Sequence, residues 1–232
     1  MKSLRREIGS IPIIGPAVRS LTRSIYSYLN PPAEFLSSQT YWESRYSKTG
    51  NSGAGSYGRL ATFKAETINS FVARHSIEST IEFGCGDGNQ LLLANYPTYV
   101  GVDVSRKAIE LCRKKFERDS SKRFAVLDDF DLSPVTAEMS LSLDVIYHLI
   151  EEHAYRDYMR RLVRAANRFI CIYSSNVQMP GHVDHIKHRC FTDWFSVYAS
   201  DWKLIQTIRN RYPYDFENPD ETSWADFYFL AR

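Results

Sequence analysis

The stretch Thr80–Ser105, TIEFGCGDGNQLLLANYPTYVGVDVS, constrains the fold more than any other part of the chain. It reads as an apolar strand, a glycine-rich turn, a short helical segment, a second strand and a terminal carboxylate. That order predicts a nucleotide-binding βαβ unit. Gly84, Gly86 and Gly88 allow positive φ and a close approach of backbone to ligand. A helix is expected near 89–95, with its free N–H groups facing that ligand. Asp103 closes the run Tyr99-Val100-Gly101-Val102, where a carboxylate can accept both hydroxyls of a ribose.

Two details narrow the ligand. The glycine spacing is G-x-G-x-G rather than the G-x-G-x-x-G of dinucleotide sites, which disfavours a pyrophosphate. Glu82, two places before the first glycine, would repel a pyrophosphate and attract an ammonium or sulfonium group. The segments Glu82-Phe83-Gly84-Cys85-Gly86-Asp87-Gly88 and Val100-Gly101-Val102-Asp103 resemble the first two motifs of class I S-adenosylmethionine-dependent methyltransferases. The resemblance implies S-adenosyl-L-methionine as cofactor. It also implies an α/β fold, a doubly wound Rossmann-like, mostly parallel sheet whose last strand runs antiparallel.

The likeness extends from about residue 40 to the C-terminus. Phe124–Leu127 reads as a third strand followed by Asp128 and Asp129, equal candidates for the position beside the adenine. Met139–Leu143 and Asp144-Val145-Ile146-Tyr147-His148-Leu149 resemble the fourth strand and its loop, with Asp144 on the cofactor side. Tyr41-Trp42-Glu43-Ser44-Arg45-Tyr46 resembles an entry segment that in this family folds over the cofactor. A second glycine-rich stretch, residues 50–60, is expected to lie near the ligand, with Ser56 capping the helix of 61–73. Tyr57 and Arg59 are candidate cofactor contacts there, Arg59 as a partner for a carboxylate or an anionic acceptor. The alternation of strands near 80–83, 99–103, 123–127, 138–142, 168–173, 203–209 and 223–230 with helices near 105–117, 149–165 and 190–199 predicts a doubly wound sheet. A turn is expected at 128–137, too short a span for a good helix.

Length and composition fit one core plus an N-terminal helical extension: 232 residues, 44% hydrophobic and 14% aromatic. The expected division is 1–30, a basic amphipathic segment; 31–75, N-terminal helices and a cofactor-covering loop; and 76–232, the core. A net charge of +2 gives no case for nucleic acid. Lys2, Arg5, Arg6, Arg19 and Arg23 against Glu7 make residues 1–30 basic. Val18, Leu21, Ile25 and Leu29 share one helical face, a pattern that suits either packing on the core or a partner, or peripheral contact with an anionic leaflet. Four dispersed cysteines fit reduced thiols in the cytoplasm.

Transfer of a methyl group from a sulfonium needs alignment and, for a hydroxyl acceptor, a base or a metal. His148, after the fourth strand, is one candidate base and His185, in the segment Gly181-His182-Val183-Asp184-His185-Ile186-Lys187-His188, is the other. Tyr147 and Asn176 are expected at the same mouth. The histidine spacing matches no closed zinc pattern, so no metal is expected. The resemblance points to O-methylation of a sugar or lipid-linked glycan in surface-polysaccharide biosynthesis, with another small molecule or lipid as the rival acceptor. A non-catalytic cofactor-binding scaffold at the membrane is the alternative of a different class, and a dehydrogenase the third.

Overall fold

In the computed structural model, residues 36–48, 50–131, 136–180 and 185–232 are described. The amphipathic segment 1–30, the Asn30-Pro31-Pro32 joint, Ser133, Pro134, His182 and Asp184 lie outside them. Strands β1 (Ser79–Phe83), β2 (Thr98–Asp103), β3 (Lys122–Val126), β4 (Ala137–Leu143), β5 (Ala166–Ser174), β6 (Lys203–Ile208) and β7 (Asp226–Ala231) form one sheet in the order β3-β2-β1-β4-β5-β7-β6. The ladders from β3 to β5 are parallel, and β7 is antiparallel to both of its neighbours. The last strand in sequence is therefore the reversed one, as the resemblance implies.

Helices cover both faces. On one side α2 (Gly58–Arg74) and α3 (Arg106–Lys115) pack Phe63, Ile68, Phe71, Ile109 and Cys112 against Tyr99, Met139, Leu141, Cys171, Tyr173, Phe227 and Phe229. On the other, α4 (Glu152–Arg164) and α5 (Phe191–Tyr198) pack Tyr155, Met159, Leu162, Phe191 and Phe195 against Ile81, Phe83, Ile170, Ile172 and Leu230. The alternation within β5 shows why the sequence does this. Phe169, Cys171 and Tyr173 enter one core and Ile170 and Ile172 the other, so the strand is apolar throughout, as a strand buried on both faces must be. A further helix, α1 (Ser38–Ser47), is capped by Ser37, whose side chain accepts from the Thr40 N–H.

Strand order reverses between β1 and β4, which part company at their carboxyl ends: β2 lies on the far side of β1 and β5 on the far side of β4. Such a switch point opens a crevice that binds ligands in open α/β sheets. It sets Glu82 and Gly84 beside Asp144.

Two local expectations change. No α-helix follows the glycine loop: Gln90–Leu93 is a single 3₁₀ turn, and Ala94 is already extended. Pro97 lies too close to Gly88 for a full helix, because a proline lacks the N–H and disfavours helical backbone before it. No helix N-terminus faces the ligand from that loop. The N-cap of α2 is Tyr57 and not Ser56, which ends a short 3₁₀ turn, Ala54–Ser56. Among the described residues no helix is long and apolar enough to cross a membrane.

Candidate active site

The crevice at the switch point is a cavity of about 440 Å³. Its floor is the glycine loop, and its walls include Trp42, Lys64, Glu82, Asp103, Asp144 and His148. The three loop glycines have φ of 84°, 57° and 70° for Gly84, Gly86 and Gly88. A Cβ on Gly86 would come within 2.8 Å of the Tyr46 hydroxyl and strike the Ser52 side chain. At Gly84 it would run into Val145. Backbone conformation and space both require glycine here.

Glu82 is 5% exposed and accepts from the Tyr99 hydroxyl at 2.5 Å. Burial pushes its carboxyl up to about 7, against the lowering effects of Tyr99 and Lys64. Asp103 is also buried, and burial raises it to about 6 against the N–H groups of Ser105 and Gly86, each donating at 2.9 Å. Each carboxylate oxygen has a second lone pair, so both can still accept a hydroxyl. A carboxylate held in a low-dielectric pocket favours a cationic ligand.

Asp87 gathers the covering segment onto the loop. Its Oδ2 accepts from the Tyr57 hydroxyl at 2.8 Å and the Ser52 N–H at 3.2 Å, and its Oδ1 from the Asn89 N–H at 3.0 Å. Burial raises this carboxyl, but those donors outweigh it and hold it low overall. Burial and then Asp87 push the Tyr57 hydroxyl up to about 12. Ser52 Oγ accepts from the Asp87 N–H at 2.9 Å, and the Asn89 side-chain amide donates to the Ser56 carbonyl at 2.7 Å. Residues 50–57 thus lie across the glycine loop: Ser52 and Ser56 line the cavity, whereas Tyr57, expected as a cofactor contact, is held on Asp87 off the lining.

The other sequence candidates separate. Asp128 lines the cavity and accepts from Gln39, whereas Asp129 lies off the lining and pairs with Arg106 at 2.8 Å. Arg59 is not at the cavity. Its guanidinium donates to the Glu221 carbonyl at 2.7 Å and lies over the Tyr212 ring at 4.5 Å, so it fastens α2 to the connection between β6 and β7. Asp144 lines the cavity with φ of 60°, a left-handed conformation unusual for a residue with a Cβ. Tyr147 donates to its Oδ1 and Lys64 to its Oδ2, each at 2.6 Å.

Lys64 was not evident from the motifs. Its signal was a charge within the apolar stripe Leu60, Phe63, Ile68 and Phe71 of α2, and it is 1% exposed. Buried lysine is rare unless paired. Ser38 and Arg189 were missed as well. The Ser38 N–H donates to Glu151 at 2.9 Å, and buried Arg189 donates to the Leu149 and Ile150 carbonyls, so together they fix the loop carrying His148.

His148 lines the cavity, and its Nδ1 lies 3.0 Å from the His185 carbonyl. A carbonyl can only accept, so Nδ1 carries the proton and Nε2 is the basic nitrogen. Burial lowers this imidazole to about 4, which keeps it neutral at physiological pH. His185 is off the cavity lining: its ring stacks on Tyr41 at 4.5 Å and on His148 at 5.7 Å. It fixes His148 through its carbonyl. Asn176 bonds to Thr192 and is also off the lining.

Residues 81–171 match the family model described as a methyltransferase domain. No curated protein sequence matches the chain. Solved structures are similar across most of its length. The N-methyltransferase NodS from Bradyrhizobium japonicum WM9, in complex with S-adenosyl-L-homocysteine, is 12% identical, with a TM-score of 0.65, covering 84% of this chain and 98% of its own. Magnesium protoporphyrin IX methyltransferase from Synechocystis PCC 6803, with bound S-adenosylmethionine, is 15% identical at a TM-score of 0.61, covering 85% and 98%. The methyltransferase domain of the bacterial protein CtHen1-C is 16% identical at a TM-score of 0.56, covering 72% and 96%. At such identities these likenesses speak to the fold. The matched domain adds the chemistry, and a cavity lined by Gly84 and Gly86 beside the buried carboxylates Glu82 and Asp103 fits the cofactor. The chain therefore carries a methyltransferase domain over residues 81–171, on a fold it shares with S-adenosylmethionine-dependent methyltransferases.

Proposed function

We propose that this methyltransferase acts on a hydroxyl of a sugar, free or within a lipid-linked glycan of surface-polysaccharide biosynthesis. The observation that carries this reading is His148: a neutral imidazole on the cavity wall, with its tautomer set by the His185 carbonyl so that Nε2 is left basic. An amine acceptor has only to be neutral, whereas a hydroxyl must lose a proton as the new bond forms, and a fixed basic nitrogen serves that need.

S-Adenosylmethionine supplies an electrophilic methyl group on a good leaving group. The protein's residues do the rest. Glu82 and the glycine loop receive the cationic methionine end, Asp103 accepts the ribose hydroxyls, and Asp128 lies at the adenine end. His148 takes the acceptor's proton, and Trp42 and the covering segment 50–57 exclude water. The basic charges of residues 1–30 suit a lipid-linked acceptor held at the inner face of the cytoplasmic membrane.

The test is incubation with methyl-labelled S-adenosylmethionine and a panel of free sugars, nucleotide sugars and envelope glycans, with the methylated atom located by NMR. O-methyl sugar formed by the wild type and reduced about 100-fold or more in His148→Gln supports the reading. Methylation of nitrogen or carbon, or an unchanged rate in His148→Gln, would overturn it.

A further inference from the structure

The connection between β6 and β7, residues 209–225, is held firmly yet presents aromatic rings to solvent. Arg59 and Arg211 tie it to α2 through Glu221 and Glu66, at 3.5 and 3.0 Å. Buried Asn210 donates to the Tyr173 hydroxyl at 2.8 Å and the Ala225 carbonyl at 3.0 Å. Asp215 accepts from the Glu217 N–H and from the Asn218 side chain. On this frame Tyr214 stacks on Trp224 at 4.6 Å, and Phe216 stands edge-on to Tyr214 at 5.0 Å. Phe216 is 80% exposed and Trp224 40%. A clustered aromatic surface on a pinned frame marks a binding site more than a scattered exposed ring does.

Its surroundings define the ligand. Beside Trp224 a cleft is lined by Gln178, Thr207, Arg209 and Asp226. Arg209 and Asp226 pair with each other at 2.5 Å, so the local charge is balanced. Balanced polar groups beside an aromatic face match a neutral, hydroxyl-rich ligand: ring C–H bonds rest on the negative π face while hydroxyls meet the polar rim. Intervening rings link the platform to the wall of the catalytic cavity. Trp224 is 6.3 Å from the His188 ring, His188 is 6.0 Å from Tyr147, and Tyr147 bonds to Asp144 on the cavity wall.

We propose that Tyr214, Phe216 and Trp224 form a subsite for sugar units beyond the one that is methylated, making an oligosaccharide the favoured acceptor. This rests on the sugar reading above and extends it. The test uses neutral hexose and deoxyhexose monosaccharides and matching tetrasaccharides as probes. Binding is followed by saturation-transfer NMR and calorimetry in wild type, Phe216→Ala and Trp224→Ala, with S-adenosylhomocysteine affinity as the measure of an intact fold. Tetrasaccharides should bind about tenfold tighter than monosaccharides, and either variant should remove most of that advantage while leaving S-adenosylhomocysteine affinity unchanged. Equal affinity for short and long sugars, with monosaccharides methylated, would remove the subsite and leave the sugar reading standing. An advantage of length that survives in both variants would also overturn it. No binding of any sugar, with wild type binding anionic phospholipid vesicles and Phe216→Ala losing that binding, would assign the platform to a membrane surface and overturn the subsite.

Discussion

Glu82 sets stability against binding, and Glu82→Gln separates the two. The carboxyl rises from 4.5 to about 7 on folding because it is buried. A group whose folded pKa lies above its unfolded value favours the fold fully below the unfolded pKa, and that contribution is lost as pH rises through the folded one. At about 1.4 kcal/mol per unit, ionised Glu82 costs the cofactor-free fold ~3 kcal/mol above neutrality, and less than half of that near pH 5.5. Glutamine does not ionise, so the stability of the variant relative to wild type should rise by about 2 kcal/mol between pH 5.5 and 8. For a domain of this size that is a relative gain in Tm of roughly 4–8 °C. Any constant effect of the amide on Tyr99 cancels in the slope. The assay is thermal unfolding of both proteins across that pH range, with S-adenosylhomocysteine titrated in parallel. Affinity for the cationic cofactor should fall by about tenfold or more in the variant. A pH-independent stability difference would refute the assignment of a raised, buried carboxyl, and unchanged affinity would refute its role in binding.

Gly86→Ala should abolish cofactor binding while the protein still folds, because the new Cβ meets Tyr46 and Ser52 at positive φ; calorimetry with S-adenosylhomocysteine checks this. Lys64→Met should destabilise by about 3 kcal/mol in urea unfolding, since it strips the partner from Asp144; Lys64→Met combined with Asp144→Asn should recover much of that loss. Arg59→Ala should leave cofactor affinity within about twofold and increase protease cleavage in residues 209–225, whereas an Arg59 that binds the cofactor carboxylate would give a drop in affinity of tenfold or more.

The parts legible in the sequence are those governed by local rules. Unbroken apolar runs such as Phe169–Tyr173 announce a strand buried on both faces, and glycines at 84, 86 and 88 announce positive φ where the backbone must approach a ligand. Neither needs knowledge of distant residues. The helix expected at 89–95 from the usual order of glycine loop and helix fails beside Pro97, also a local effect but one opposed to that pattern. Arg59 illustrates the other limit. Proximity in sequence to a glycine-rich loop suggested the cofactor, but its partners Glu221 and Tyr212 lie far along the chain and only the sheet order brings them near. Asp128 and Asp129 were indistinguishable by position until α1 supplied Gln39 to one and α3 supplied Arg106 to the other. Lys64 needed the observation that a charge within an apolar stripe must have a buried partner, and that partner, Asp144, is 80 residues away in the chain.

The most direct measurement is calorimetric titration of S-adenosylmethionine and, separately, NAD into wild-type protein and Asp103→Asn. Micromolar binding of S-adenosylmethionine is expected, at least tenfold weaker in Asp103→Asn, with no binding of NAD. Folded wild-type protein that binds NAD in preference, or that binds S-adenosylmethionine with equal affinity after the substitution, would contradict it.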